Sequence, residues 1–119
     1  MSYAALYLVP VPKESLDTYR SMANRWNQLF LDLGGIDHRE WILEQGNVGW
    51  ELPPIPNVAE EGEVLLFSVV ECRDKAHYDQ VMAAMMEDPR MEEMEAEMKT
   101  IDMSRMHVSE FSLFAGRRA

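Results

Sequence analysis

The stretch Glu63 to Cys72, EVLLFSVVEC, constrains the fold of this 119-residue chain more than any other. Successive side chains of an extended strand leave on opposite faces. Here Val64, Leu66 and Val70 fall on one face and Leu65, Phe67 and Val69 on the other, so both faces are apolar. Such a strand belongs in the middle of a sheet with cover on both sides. Tyr3 to Val9, YAALYLV, has the same two-faced character, and Pro10 and Pro12 are expected to end it.

Between these strands, Lys13 to Leu33 places Leu16, Tyr19, Met22, Ala23, Trp26, Leu29, Phe30 and Leu33 at steps of three and four, the spacing of one helical face. Gly34-Gly35 is the expected stop. Ile36 to Glu44, IDHREWILE, reads as a second strand of mixed polarity. In GNVGWELPPIPN, Pro53, Pro54 and Pro56 exclude regular helix and favour an extended loop, with Trp50 and Ile55 as its anchors. Asp74 is the expected N-cap of a second helix on which Tyr78, Val81, Met82 and Met85 share a face. That helix must end or kink at Asp88-Pro89, and Pro89 can open the next turn. Met91, Met94 and Met98 then recur at helical spacing against a glutamate-rich face. Arg105 to Ala115 is expected to form the last strand.

The order strand, helix, strand, strand, helix, strand predicts one α+β domain: a ferredoxin-like βαββαβ sandwich with a four-stranded antiparallel sheet and two main helices on one face. The other face is then bare, and a face this apolar exceeds what a soluble monomer tolerates. The economical cover is the same face of a second copy, giving a homodimer that closes a dimeric α/β barrel. Eight of the ten methionines lie between Met82 and Met106. Their adaptable thioethers suit core packing under the second helix or a subunit contact.

Composition bounds the function classes. Apolar residues make up 47%, too many for disorder, yet no run approaches the roughly 18 that suggest a membrane span. The apolar N-terminal run lacks a basic start and suits a strand better than a secretion signal, so a cytoplasmic protein is expected. A net charge of −10 disfavours nucleic acid and anionic membranes as partners. The single Cys72 leaves no internal disulfide and no cysteine cluster for zinc; a packing role is expected over a reactive thiol.

PVPKESLDTYRSMA, VLLFSVVECRDKAHYDQV, MMEDPRM and the closing pattern of Arg105, Met106 and Phe111 together resemble the YbaA-like family of unknown function, across most of the chain. Asp88-Pro89-Arg90-Met91 is the most specific part. The resemblance implies a dimeric α/β-barrel fold and no established activity. The Asp-Gly pair typical of that family stands as Ala5-Leu6 here, and two glycines of its closing motif are replaced.

No phosphate-binding glycine loop, HExxH or nucleophile elbow occurs. The candidates are polar residues on strands. His38 and Glu40 share a face of the second strand, as a base and its orienting carboxylate or as acid and base. The resemblance adds weight to Glu40. The alternative is an ion pair of Glu40 with Arg39 or Arg105. His107 and Ser68 are expected to orient a ligand, Tyr7 and Trp50 to line its site, and Arg105 to contact it. His77 is expected to face solvent. No cofactor and no metal are expected, since no histidine pair has i, i+4 spacing; His107 is the one conceivable haem ligand. The reading is a protein that binds or transforms a small apolar or aromatic molecule in the barrel interior, monooxygenase- or isomerase-like. The alternative is a noncatalytic accessory protein whose barrel only closes the dimer.

Overall fold

The computed structural model describes residues 2–44, 49 and 52–119. Four strands, β1 (Tyr3–Pro12), β2 (Asp37–Ile42), β3 (Glu63–Cys72) and β4 (His107–Ser112), form one antiparallel sheet in the order β2-β3-β1-β4. The two-faced strands β1 and β3 are the central pair. Helices α1 (Leu16–Asp32) and α2 (Lys75–Glu87) follow β1 and β3, the βαββαβ order expected.

Strand β1 runs on through both prolines, contrary to expectation. Pro10 pairs with Leu65 and Pro12 with Glu63, while β4 extends along β1 only as far as Leu8. The next amide, Lys13 N, donates to Gly62 O across the β3 side. Pro10 and Pro12 alternate with it and turn their missing N–H to the side that β4 has vacated, so no ladder bond is lost.

Helix α1 stops where the glycines require. Gly35 N donates to Phe30 O and Gly34 N to Leu31 O, with Gly34 at φ +107°, a Schellman cap. Asp74 caps α2, its carboxylate accepting from His77 N at 2.7 Å. Asp88 accepts from Arg90 N and opens α3 (Pro89–Glu93), which is followed by α4 (Glu95–Met98), where a single short helix was expected. Arg90 also bonds the Asp88 carboxylate and reaches Asp32 at the end of α1, at 2.8 Å. The most family-specific tetrapeptide is thus a clamp between helices. Residues 53–60 form neither helix nor strand, and Ile55 is exposed beside Trp41, Leu65 and Phe67.

The core lies between the sheet and the helices. Ala5, Val9, Val11, Leu66, Val70 and Cys72 meet Tyr19, Met22, Leu29 and Phe30 of α1 and Tyr78, Val81 and Met85 of α2. Burial pushes the Cys72 thiol up, in keeping with a packing role. The outer sheet face carries Ala4, Leu6, Leu8, Leu65, Phe67, Val69, Trp41 and Phe111, the last two 47% and 53% exposed. No helix among the described residues is long and apolar enough to cross a membrane.

Candidate functional site

Register sets a row of polar side chains under the helices. Glu40 of β2 lies opposite Ser68 of β3, and Ser68 opposite Tyr7 of β1. Paired residues share a face, so all three point the same way. Above them lies a cavity of about 220 Å³, lined also by Val9, Tyr19, Ala23, Trp26, His38 and Ile101 and by seven methionines. Met22 comes from α1, Met82 and Met86 from α2, Met91 from α3, Met98 from α4, and Met103 and Met106 from the turn before β4. The clustering of methionines thereby finds its place. Six of the eight between positions 82 and 106 roof a cavity, while Met85 and Met94 fill the core. Met86 is 71% exposed and marks the rim.

One end of the cavity is built around Glu40. Tyr19 on α1 donates its hydroxyl to Oε1, and His38 Nε2 lies 3.1 Å from Oε2. The buried His38 ring is gripped from behind by Asn27, whose Nδ2 is 2.9 Å from His38 O and 3.1 Å from His38 Nδ1. A carbonyl only accepts, so the Asn27 amide must present its NH2 group here. Its second N–H then donates to Nδ1, which leaves the His38 proton on Nε2, aimed at Glu40. Trp26 packs on the imidazole, with ring centroids 4.8 Å apart. His38 has no free lone pair toward the cavity. It positions Glu40, the reverse of the roles a histidine base with an orienting carboxylate would have.

The remaining groups follow from burial. Burial first, and then the neighbouring Glu40 charge, raise the Tyr19 hydroxyl far above its ordinary range, so Tyr19 stays a donor. Tyr7 and Tyr78 share a 2.8 Å hydrogen bond, and burial raises both. Ser68 is buried, lines the cavity and has no hydrogen-bond partner for its hydroxyl among the described residues. A wider groove of about 450 Å³ between α1 and β2 shares Tyr19, Ala23, His38 and Glu40 with the cavity and is bordered by Arg20 and Arg39.

Glu40, His38, Ser68 and Tyr7 therefore come together, but beneath the helices and not in the barrel interior that the outer face would line. Glu40 pairs with Tyr19 and His38, not with Arg39 or Arg105. His107 does not join them: it pairs with Leu8, one position out of phase with Tyr7, and stands on the outer face with Ser109 and Phe111. Arg105 is committed elsewhere, to Glu63 at 2.7 and 2.8 Å and to Val58 O at 3.0 Å. Trp50 lies outside the described residues. His77 is buried instead of solvent-facing, its Nδ1 accepting from Arg73 N, which makes it part of the α2 cap. Asn27, Tyr19 and Trp26 are the residues that sequence reasoning missed as site residues. No group of three His, Cys, Asp or Glu among the described residues could hold a metal ion.

A β2-β3-β1-β4 sheet with its helices on one face and an apolar pocket between them defines a ferredoxin-like α+β protein. Residues 2–103 match the family described as "Protein of unknown function (DUF1428)", and the chain belongs to that family. It is 33% identical over 94 residues to the uncharacterised protein YbaA of Escherichia coli K12, covering 78% of this chain and 80% of YbaA, so the resemblance carried by the Asp-Pro-Arg-Met element holds. Among solved structures, a dimeric ferredoxin-like protein of unknown function from Jannaschia sp. CCS1 superposes with a TM-score of 0.61 at 13% identity, over 95% of this chain and all of that one. A dimeric ferredoxin-like protein from an uncultured marine organism gives 0.56 at 9% identity, over 99% and 98%. At these identities the likeness shows the fold alone.

Proposed function

We propose that the protein binds a small, largely apolar or aromatic molecule in the cavity between sheet and helices, and that Glu40 serves there as the proton acceptor of a cofactor-free, isomerase-like proton transfer. The observation that carries this reading is the placement of one carboxylate, held by Tyr19 and by the Asn27-fixed His38, at the wall of a methionine-lined cavity. A carboxylate with both oxygens oriented is a ready general base, and an apolar roof keeps water from competing. Ser68 and Tyr7 supply further polar contacts along the same row.

The same proposal includes a homodimer closed across the outer sheet face, supported by the apolar residues there and by the dimeric description of both solved neighbours. It also includes a cytoplasmic location, in keeping with the single free Cys72.

A thermal-shift screen of small aromatic compounds, followed by methyl NMR of [13C-methyl]methionine-labelled protein, tests the reading. A hit should move the signals of cavity methionines, and Glu40→Gln should weaken it at least tenfold while Ser68→Ala weakens it less. Equal affinity in Glu40→Gln would remove Glu40 from the site. A bound ligand that exchanges none of its carbon-bound protons into D2O would leave binding and remove the proton transfer.

A further inference from the structure

The charge balance around Glu40 narrows the ligand. Tyr19 and His38 both donate to its carboxylate, and both are neutral donors: Tyr19 is held protonated by burial, and the Asn27 N–H on Nδ1 leaves His38 with a single ring proton. No Lys or Arg lines the cavity among the described residues. The cations that border the wider groove are engaged elsewhere. Arg20 pairs with Asp17 at 3.1 Å, and Arg39 pairs with Asp37 at 3.2 Å while lying over the Trp41 ring. A carboxylate withdrawn from water normally has a charged partner. Glu40, whose side chain is 14% exposed, has none among the described residues.

We infer that the partner is supplied by the ligand: the cavity takes an organic ammonium ion carried on a small apolar, ring-sized body, with its N–H group on Glu40. This rests on the proposal that the cavity is a ligand site. The walls agree with the charge. Trp26, Tyr19 and Tyr7 line the cavity with aromatic rings, a residue type that attracts cations, and thioether sulfurs pack well against a ring. Size agrees too, because an apolar cavity of about 150 Å³ holds benzene, and about 220 Å³ leaves room for a ring with a short amine arm. Ser68 can accept a second ammonium proton. The net charge of −10 favours the approach of cations and opposes that of anions.

Three molecules of one shape test the inference: 2-phenylethylamine, 2-phenylethanol and phenylacetate, titrated at pH 7 while the methionine methyl signals report occupancy of the cavity. The amine should bind at least tenfold more tightly than the alcohol, the acid should not bind, and Glu40→Gln should level amine and alcohol. If the alcohol binds as well as the amine, or the preference survives in Glu40→Gln, the ammonium class is overturned and the cavity remains a ligand site. If none of the three moves a cavity methionine, both fall. A readout on unmutated protein stands beside these, since 15N NMR of the imidazoles should show His38 neutral with its proton on Nε2 at pH 7. A His38 imidazolium at that pH overturns the inference, because it would itself neutralise Glu40.

Discussion

Arg105 shows how a charged residue can look functional in a sequence and be structural in the fold. Its guanidinium grips both oxygens of Glu63 and the carbonyl of Val58, tying the approach to β4 to the start of β3. The Arg105 hydrogen bonds, more than any other contact, hold the Glu63 carboxyl down from the ordinary 4.5 to about 2. A carboxyl whose value is lower folded than unfolded stabilises the fold above the unfolded value and ceases to do so as pH falls through the folded one. Thermal stability should therefore drop between about pH 4.5 and pH 2, and Glu63→Gln should flatten that part of the profile. Superimposable melting profiles for the two proteins would show the pair to be idle. The face shared by His38 and Glu40 was legible from strand alternation alone. Asn27 was not, because its partner is a ring eleven residues away that it reaches only once α1 has docked over β2. His107 misled for a related reason: one strand gives no phase relative to another until the pairing is known.

At the scale of elements, starts and stops were the legible part. Gly34-Gly35, Asp74 and Asp88-Pro89 each do what their local chemistry dictates, whereas no Gly, Pro or capping side chain marks the break between α3 and α4 at Met94. Gly35 carries a second requirement beyond capping. A Cβ there would sit 2.1 Å from Cε2 of Phe30, whose ring is fully buried. Gly35→Ala should cost about 1–3 kcal/mol in urea unfolding, the range for a forced overpacking of a filled core. An alanine variant as stable as the parent would mean that the Trp26–Phe30 stack yields at little cost.

For the whole molecule, the two faces of the sheet divide the labour. One lies under helices and borders the cavity; the other presents Leu6, Leu8, Phe67, Val69 and Trp41 with no helix above it among the described residues. The proposed dimer uses the second face, so a charge introduced there should break assembly and spare the first. Leu6→Lys is expected to halve the mass measured by light scattering at micromolar concentration, with the far-UV spectrum unchanged. A parent protein that already runs as a monomer would dispose of the proposed pairing. The fold class was readable because it follows from element order and from two-faced strands. The cavity was not, because it arises from where five separate segments place their methionines.

The alternation of β3 also bears on how such a chain can vary over generations. Its odd and even positions are two interleaved messages, one addressed to the cavity and the other to the outer face, and each can be rewritten without disturbing its neighbour. Inserting or deleting a single codon within β3 would exchange the two addresses, sending Ser68 outward and Phe67 or Val69 into the cavity. Substitution is thus open to this strand while changes of length are closed to it, and gains or losses of residues are expected in the connection between β2 and β3 instead.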